Sequence, residues 1–128
     1  MRKILVVDDE HDICEFVGGF LTERGYHVLT ALNGEDALAI VKKERPSLAL
    51  LDIKMKGMDG IALLKHIKFF DKNIYVIMVT AMEDDDSMNE ATRLGACDYI
   101  TKPLELEHLE RAVEKFDKMA ENLKSGQA

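Results

Sequence analysis

Ile4-Leu5-Val6-Val7-Asp8-Asp9-Glu10 sets an unbroken aliphatic run directly against three acids. A run that is apolar on both faces reads as a strand of a parallel sheet covered by helices on either side. Working outward, Leu48-Ala49-Leu50-Leu51, Ile74 to Val79 and the shorter Asp98-Tyr99-Ile100-Thr101 read the same way. The less hydrophobic Tyr26-His27-Val28-Leu29-Thr30 reads as a strand nearer the sheet edge. Helical periods lie between these runs. Ile13, Phe16, Val17, Phe20 and Leu21 recur at helical spacing, with Gly25 as the stop. Asn33 is placed to cap a second helix carrying Ala37, Leu38 and Val41 ahead of Pro46. A third helix is predicted over about 61–69 and a fourth over about 85–94, closed by Gly95. A last helix begins near Glu105 and carries Leu106, Leu109, Val113, Phe116, Ala120 and Leu123. Strand and helix alternate throughout, which implies an α/β fold with a parallel sheet and right-handed crossovers. Gly18-Gly19 interrupts the first helix, at about 1 kcal/mol per glycine relative to alanine. Close packing on the sheet and mere tolerance each account for that pair.

At 128 residues and 14.5 kDa the chain makes one domain, and 47% hydrophobic with 32% charged residues excludes a disordered class. No apolar run reaches the roughly 18 residues of a membrane span, and Ile4 to Val7 is too short for a signal-peptide core. A cytoplasmic protein without a membrane role is expected. Cys14 and Cys97 lie far apart in no metal-type or redox spacing, so both are expected buried and reduced. A net charge of -7 opposes a phosphate backbone, so nucleic-acid binding by this domain alone is not expected.

Ligands of open parallel sheets bind beyond the carboxyl ends of the strands. There the sequence places Asp8, Asp9 and Glu10, then Asp52, then Thr80 with Ala81, then Thr101, Lys102 and Pro103. Nucleotide-binding relatives of this architecture carry glycines at the first turn, so that backbone N–H groups cradle phosphate. Three acids there repel phosphate unless a cation intervenes. Mg²⁺, or Mn²⁺, suits a site of few carboxylates with retained waters. Taken alone, the triplet serves equally well to cap the next helix. Asp52 follows four apolar residues, where a lone carboxylate is costly unless paired or metal-bound. Beside a cation, one of its oxygens can coordinate while the other attacks phosphorus. Lys102 and Thr80 would then neutralise charge on the transferred group. Taken singly, each has an ordinary reading, a solvated loop lysine and a strand-end threonine. A proline after a lysine at a strand end also admits a cis Lys102–Pro103 peptide.

With these residues in view, the chain resembles a bacterial two-component response-regulator receiver domain of the chemotaxis-regulator kind, over essentially its whole length. The resemblance is carried by Ile4 to Glu10, by Leu51-Asp52 through Met58-Asp59-Gly60, by Thr80-Ala81, by Gly95-Ala96 and by Tyr99-Ile100-Thr101-Lys102-Pro103. It implies a flavodoxin-like (βα)5 three-layer sandwich with strand order 2-1-3-4-5. It also implies Asp52 as phosphoacceptor, with Asp8, Asp9, Asp52 and the Lys54 carbonyl holding Mg²⁺. Thr80 becomes the switch hydroxyl, Lys102 the phosphate-pairing lysine, and Tyr99 the aromatic that changes rotamer with Thr80. The implied partner is a sensor histidine kinase or His-phosphotransfer protein, and the implied output is a switched face of the fourth helix, fifth strand and fifth helix. The chain would catalyse only its own phosphorylation and dephosphorylation. One departure is visible: the family usually has proline where this chain has Lys56.

Three other readings compete with this one. A Mg-dependent phosphatase of the haloacid-dehalogenase kind needs a second aspartate two residues past the nucleophile, where this chain has Lys54. A phosphorylation-independent interaction module would have lost Asp52 or Lys102, and both are present. A His-phosphotransfer bundle is excluded by class, leaving His11, His27, His66 and His108 as surface or edge residues. Lys54 and Met82, each two residues past a strand end, are expected to flank the path of a hydrolytic water. The receiver is expected over 1–116, with 117–128 a helical extension and tail leading towards an output domain. Leu109, Val113, Phe116, Ala120 and Leu123 step by coiled-coil spacing, which suggests a seam for pairing two copies on phosphorylation.

Overall fold

The structure is a computed structural model and describes residues 2–81 and 85–122. Five strands and five helices alternate: β1 Lys3–Val7, α1 His11–Glu23, β2 His27–Ala31, α2 Gly34–Glu44, β3 Leu48–Asp52, α3 Gly60–Phe70, β4 Tyr75–Thr80, α4 Asp85–Arg93, β5 Asp98–Thr101 and α5 Leu106–Asn122. All strand pairs are parallel, in the order β2-β1-β3-β4-β5. This is the flavodoxin-like order.

Alternation along each strand splits the core into two layers, because successive side chains point to opposite faces. Leu5, Val7, Ala49, Leu51, Val76 and Met78 meet α2, α3 and α4 through Ala37, Val41, Leu63, Leu64, Ile67 and Ala91. Ile4, Val6, Leu48, Leu50, Ile77 and Ile100 meet α1 and α5 through Cys14, Val17, Leu21, Leu109, Val113 and Phe116. Each of the larger aliphatic and aromatic side chains contributes about 1.5–3 kcal/mol on burial, so β1, β3 and β4, buried on both faces, anchor the sheet. β2 is only partly buried, as an edge strand should be.

The helix ends follow from local chemistry. Asn33 accepts a hydrogen bond from the Asp36 backbone N–H at 2.8 Å, and Asp59 accepts one from Ala62 N–H at 2.8 Å. Gly25 and Gly95 take left-handed φ values of 93° and 106° after α1 and α4, a region where a Cβ is disfavoured.

Three expectations change in the structure. Phe16 is half exposed, whereas Cys14 and Gly18 join Val17 and Leu21 on the buried face of α1. Cys97 is exposed, because β5 is the far edge of the sheet, while Cys14 is buried. The helix does not leave the domain at Phe116. Asp117 accepts from Tyr26 O–H and pairs with Arg2 at 2.6 Å, and Ala120 still packs on the core. Burial, and then the neighbouring Asp117 charge, push the Tyr26 phenol up to about 12, so it stays a donor to that carboxylate. Met119, next along, is half exposed. Leu123 and the tail through Ala128 lie outside the described residues.

The glycine pair in α1 now separates into two cases. A Cβ at Gly18 would meet Val28 Cγ1 at 3.5 Å, ordinary contact with β2, whereas a Cβ at Gly19 meets nothing within 4 Å. Gly19 is therefore tolerated rather than required. Gly19→Ala should raise unfolding free energy by about 0.5–1 kcal/mol in a denaturant titration, and a loss of stability would contradict this packing.

Candidate functional site at the carboxyl edge of the sheet

The sheet order places β1 and β3 side by side, so the acids at their ends become neighbours although 44 positions separate them in the chain. One carboxylate oxygen each from Asp8, Asp9 and Asp52 lies within 4.8 Å of the others. Asp8 and Asp52 are 2% and 3% exposed, whereas Asp9 faces solvent. Lys102, brought in at the end of β5, stands 3.1 Å from Asp52 Oδ1 and 3.8 Å from Asp8 Oδ2. Its own backbone N–H donates to the Thr80 carbonyl at 2.7 Å, and the Lys102–Pro103 peptide is cis.

Burial dominates the electrostatics. It pushes the Asp8 carboxyl above the ordinary range, against the lowering effects of the Glu10 N–H and Lys102. It pushes Asp52 up as well, and the Asp8 charge adds to it, with Lys102 opposing. Burial disfavours the Lys102 ammonium, but the hydrogen bond and charge of Asp52 outweigh that and raise its proton affinity. Two carboxylates with raised proton affinity beside a third are the setting a divalent cation relieves, since it neutralises more charge than one ammonium can. The donor set is all oxygen, which fits Mg²⁺ or Mn²⁺.

The remaining candidates sit around this cluster. Thr80 ends β4, is 2% exposed, and directs its hydroxyl to the Ala81 carbonyl at 3.2 Å rather than to the acids. Tyr99 on β5 is half exposed and borders a cavity of about 150 Å³ against Met88, Ala91 and Thr92 of α4. Lys54 is exposed in the loop after β3. Met82 lies outside the described residues.

Three backbone devices around the acids were not read from the sequence. Glu10 N–H donates to Asp8 Oδ1 at 2.9 Å, and the Cys14 thiol donates to the Asp8 carbonyl at 3.5 Å, so α1 orients the first acid from both sides. Burial, with the Asp8 charge, pushes that thiol up to about 11, which keeps it a donor. Lys56 N–H reaches Asp9 Oδ2 at 3.4 Å, a contact that proline at this position has no N–H to make. The departure from the family pattern thus ties the loop after β3 to the acid pair.

The third device is Gly60. Its N–H donates to the Ile53 carbonyl at 2.8 Å, and a Cβ there would lie 2.7 Å from Ile53 Cα and nearer still to the Asp52 carbonyl oxygen. Both neighbours are backbone and cannot step aside. Asp59-Gly60, a capping acid followed by glycine ahead of an apolar helix, was the available signal. Gly60→Ala should cost about 1–3 kcal/mol in stability, as overpacking does. An unchanged denaturation midpoint would mean that α3 shifts freely away from Asp52.

The response regulator receiver domain family matches residues 4–114. The chain is 44% identical over 115 residues to the sporulation initiation phosphotransferase F of Bacillus subtilis, covering 90% of this chain and 93% of that protein. It is 41% identical over 112 residues to the transcriptional regulatory protein ZraR of Salmonella typhimurium, covering 88% of this chain but only 25% of that protein. Among solved structures, the chemotaxis protein CheY4 of Vibrio cholerae aligns with a TM-score of 0.86 at 30% identity, over 91% of this chain and 98% of that one. A response regulator receiver domain protein of Clostridium thermocellum aligns with a TM-score of 0.90 at 30% identity, over 96% and 99% respectively. A family match over most of the chain and a relative matched along nearly its full length carry one conclusion: the chain belongs to the receiver domain family of two-component response regulators.

Proposed function

We propose that Asp52 accepts a phosphoryl group from a phosphohistidine of a sensor kinase or His-phosphotransfer protein, and that this switches the face formed by α4, β5 and α5. The supporting observation is the buried Asp52 carboxylate, grouped with Asp8 and Asp9 and held 3.1 Å from Lys102. One Asp52 oxygen forms the new P–O bond as the P–N bond to the donor imidazole breaks, and the imidazole leaves with a proton. Lys102 pairs with an equatorial oxygen, and the low exposure of Asp52 excludes competing water. Asp8, Asp9, Asp52 and the Lys54 carbonyl would hold Mg²⁺, which when bound neutralises charge on the transferring group. The chain acts on its own aspartate only, in the cytosol.

Similarity to a protein named a phosphotransferase favours a receiver from which a partner takes the phosphoryl group onward. Pairing of two copies is less well supported. The stripe expected to form a seam commits Leu109, Val113 and Phe116 to the chain's own core. The rival phosphatase reading lacks its second acid, since residue 54 is an exposed lysine.

Incubation with acetyl phosphate and Mg²⁺ should add one phosphoryl group by intact mass. Asp52→Ala and chelation should each abolish it, and Asp9→Ala should raise the Mg²⁺ requirement by about tenfold or more. Mass gain by Asp52→Ala would end the assignment.

The switch rests on Thr80 and Tyr99. Turning the Thr80 hydroxyl from Ala81 towards a phosphoryl oxygen frees space beside Tyr99, whose half-exposed ring already borders a cavity under α4. Moving a 1:99 equilibrium to 99:1 takes about 5.5 kcal/mol, within reach of a few charge-assisted hydrogen bonds. Beryllofluoride should therefore shift amide resonances of β5 and α5 in the parent chain. In Thr80→Ala, which should still be phosphorylated, those shifts should vanish, and their persistence would remove Thr80 from the switch.

A further inference from the structure

At the opposite edge of the sheet, under the amino ends of β3 and β4, lies a groove of about 500 Å³ that the phosphorylation chemistry does not use. Its floor is apolar and aromatic. Tyr75 and Phe116 meet with ring centroids 5.3 Å apart, and the half-exposed Met119 continues the surface along α5. Its charged lining is Arg45, Lys68 and Lys72 against the single acid Asp71. That balance is positive in a chain whose net charge is -7.

Two of the three cations are held in place. Lys68 Nζ donates to the Ile74 carbonyl at 2.6 Å and the Lys72 carbonyl at 3.2 Å. Arg45, in a left-handed conformation with φ of 47°, stacks over Phe70 at 5.0 Å. Arg45 follows α2 and the two lysines border the α3–β4 connection, so the charges enter from separate elements beside the apolar floor.

We propose that this groove docks an acidic segment of a partner protein, with an aromatic or aliphatic side chain of that segment seated against Tyr75, Phe116 and Met119. Charge complementarity selects the occupant. A nucleic acid is long enough to meet the negative field of the whole chain, whereas a short acidic segment meets chiefly the local cations. The volume lies within the range of pockets that bury a drug-sized ligand, room enough for an anchoring side chain. The surface lies at the far end of the strands from Asp52, so a partner bound there leaves the acid cluster open.

The test is selection from a random twelve-residue phage-displayed peptide library on the full chain, followed by titration of the enriched peptides. Enriched peptides should place Asp or Glu around an aromatic or aliphatic residue. Their affinity should fall about tenfold, roughly 1.4 kcal/mol, in Lys72→Glu, an exposed turn position. They should also slow alkylation of Cys97, an exposed thiol lining the groove, while buried Cys14 stays silent. Phosphorylation of Asp52 by acetyl phosphate in Lys72→Glu should match the parent, separating this surface from the acid site. Selection without an acidic consensus, equal binding by Lys72→Glu, or unslowed alkylation of Cys97 would overturn the proposal. So would failure of peptides combined with Lys72-dependent sedimentation on phosphatidylserine vesicles, which would make the surface membrane-facing.

Discussion

Two carboxylates, Asp8 and Asp52, are held side by side at the end of a hydrophobic sheet, and much of the structure is organised around that juxtaposition. Burial raises both proton affinities, and each charge makes the other harder to keep. A chain free to relax would move them apart. It cannot, because the residues before them, Val7 and Leu51, are register partners in two adjacent strands buried on both faces. The hydrophobic core thus supplies the force that holds like charges together, and Lys102 offsets part of the repulsion.

Small backbone features keep the cluster in shape. Glu10 and Cys14 hold Asp8 from α1, Lys56 reaches Asp9 from the loop after β3, and Gly60 lets the first turn of α3 lie against the Asp52 carbonyl. None of these residues needs to react. Each limits where a carboxylate of the cluster can go, and such positioning is the larger part of what the proposed phosphoryl transfer asks of a protein.

Charge is distributed unevenly between the two edges of the sheet. The carboxyl edge gathers acids, whereas the amino edge carries Arg45, Lys68 and Lys72 around an apolar groove. α5 spans this division. It is fastened at the β1–β2 side by Asp117 to Arg2 and Tyr26 and by Glu110 to Arg24 at 2.5 Å, and near β5 by Lys115 to Asp98 at 3.5 Å. Most of these ion pairs are partly exposed and individually weak, so α5 is held chiefly by Leu109, Val113 and Phe116 in the core.

The sequence by itself determined the order of elements, because buried parallel strands and amphipathic helices have distinct periods and their boundaries coincide with Asn33, Gly25 and Gly95. It also exposed the candidate site residues, since Asp8, Asp52, Thr80 and Lys102 stand directly at the ends of apolar runs where no packing role explains them. Other properties were decided only by the tertiary structure. Whether Phe16 or Cys14 faces the core depends on a rotation of α1 of about one residue, within the tolerance of a 3.6-residue period. Cys97 is exposed because β5 is an edge, and Asp117 finds its partners, Arg2 and Tyr26, on two segments distant in sequence. Gly60 and Lys56 gain their importance from a close backbone approach and a backbone N–H, neither of which leaves a mark on side-chain pattern. Local periodicity is written along the chain, whereas contacts between distant segments depend on how the packed layers settle against one another.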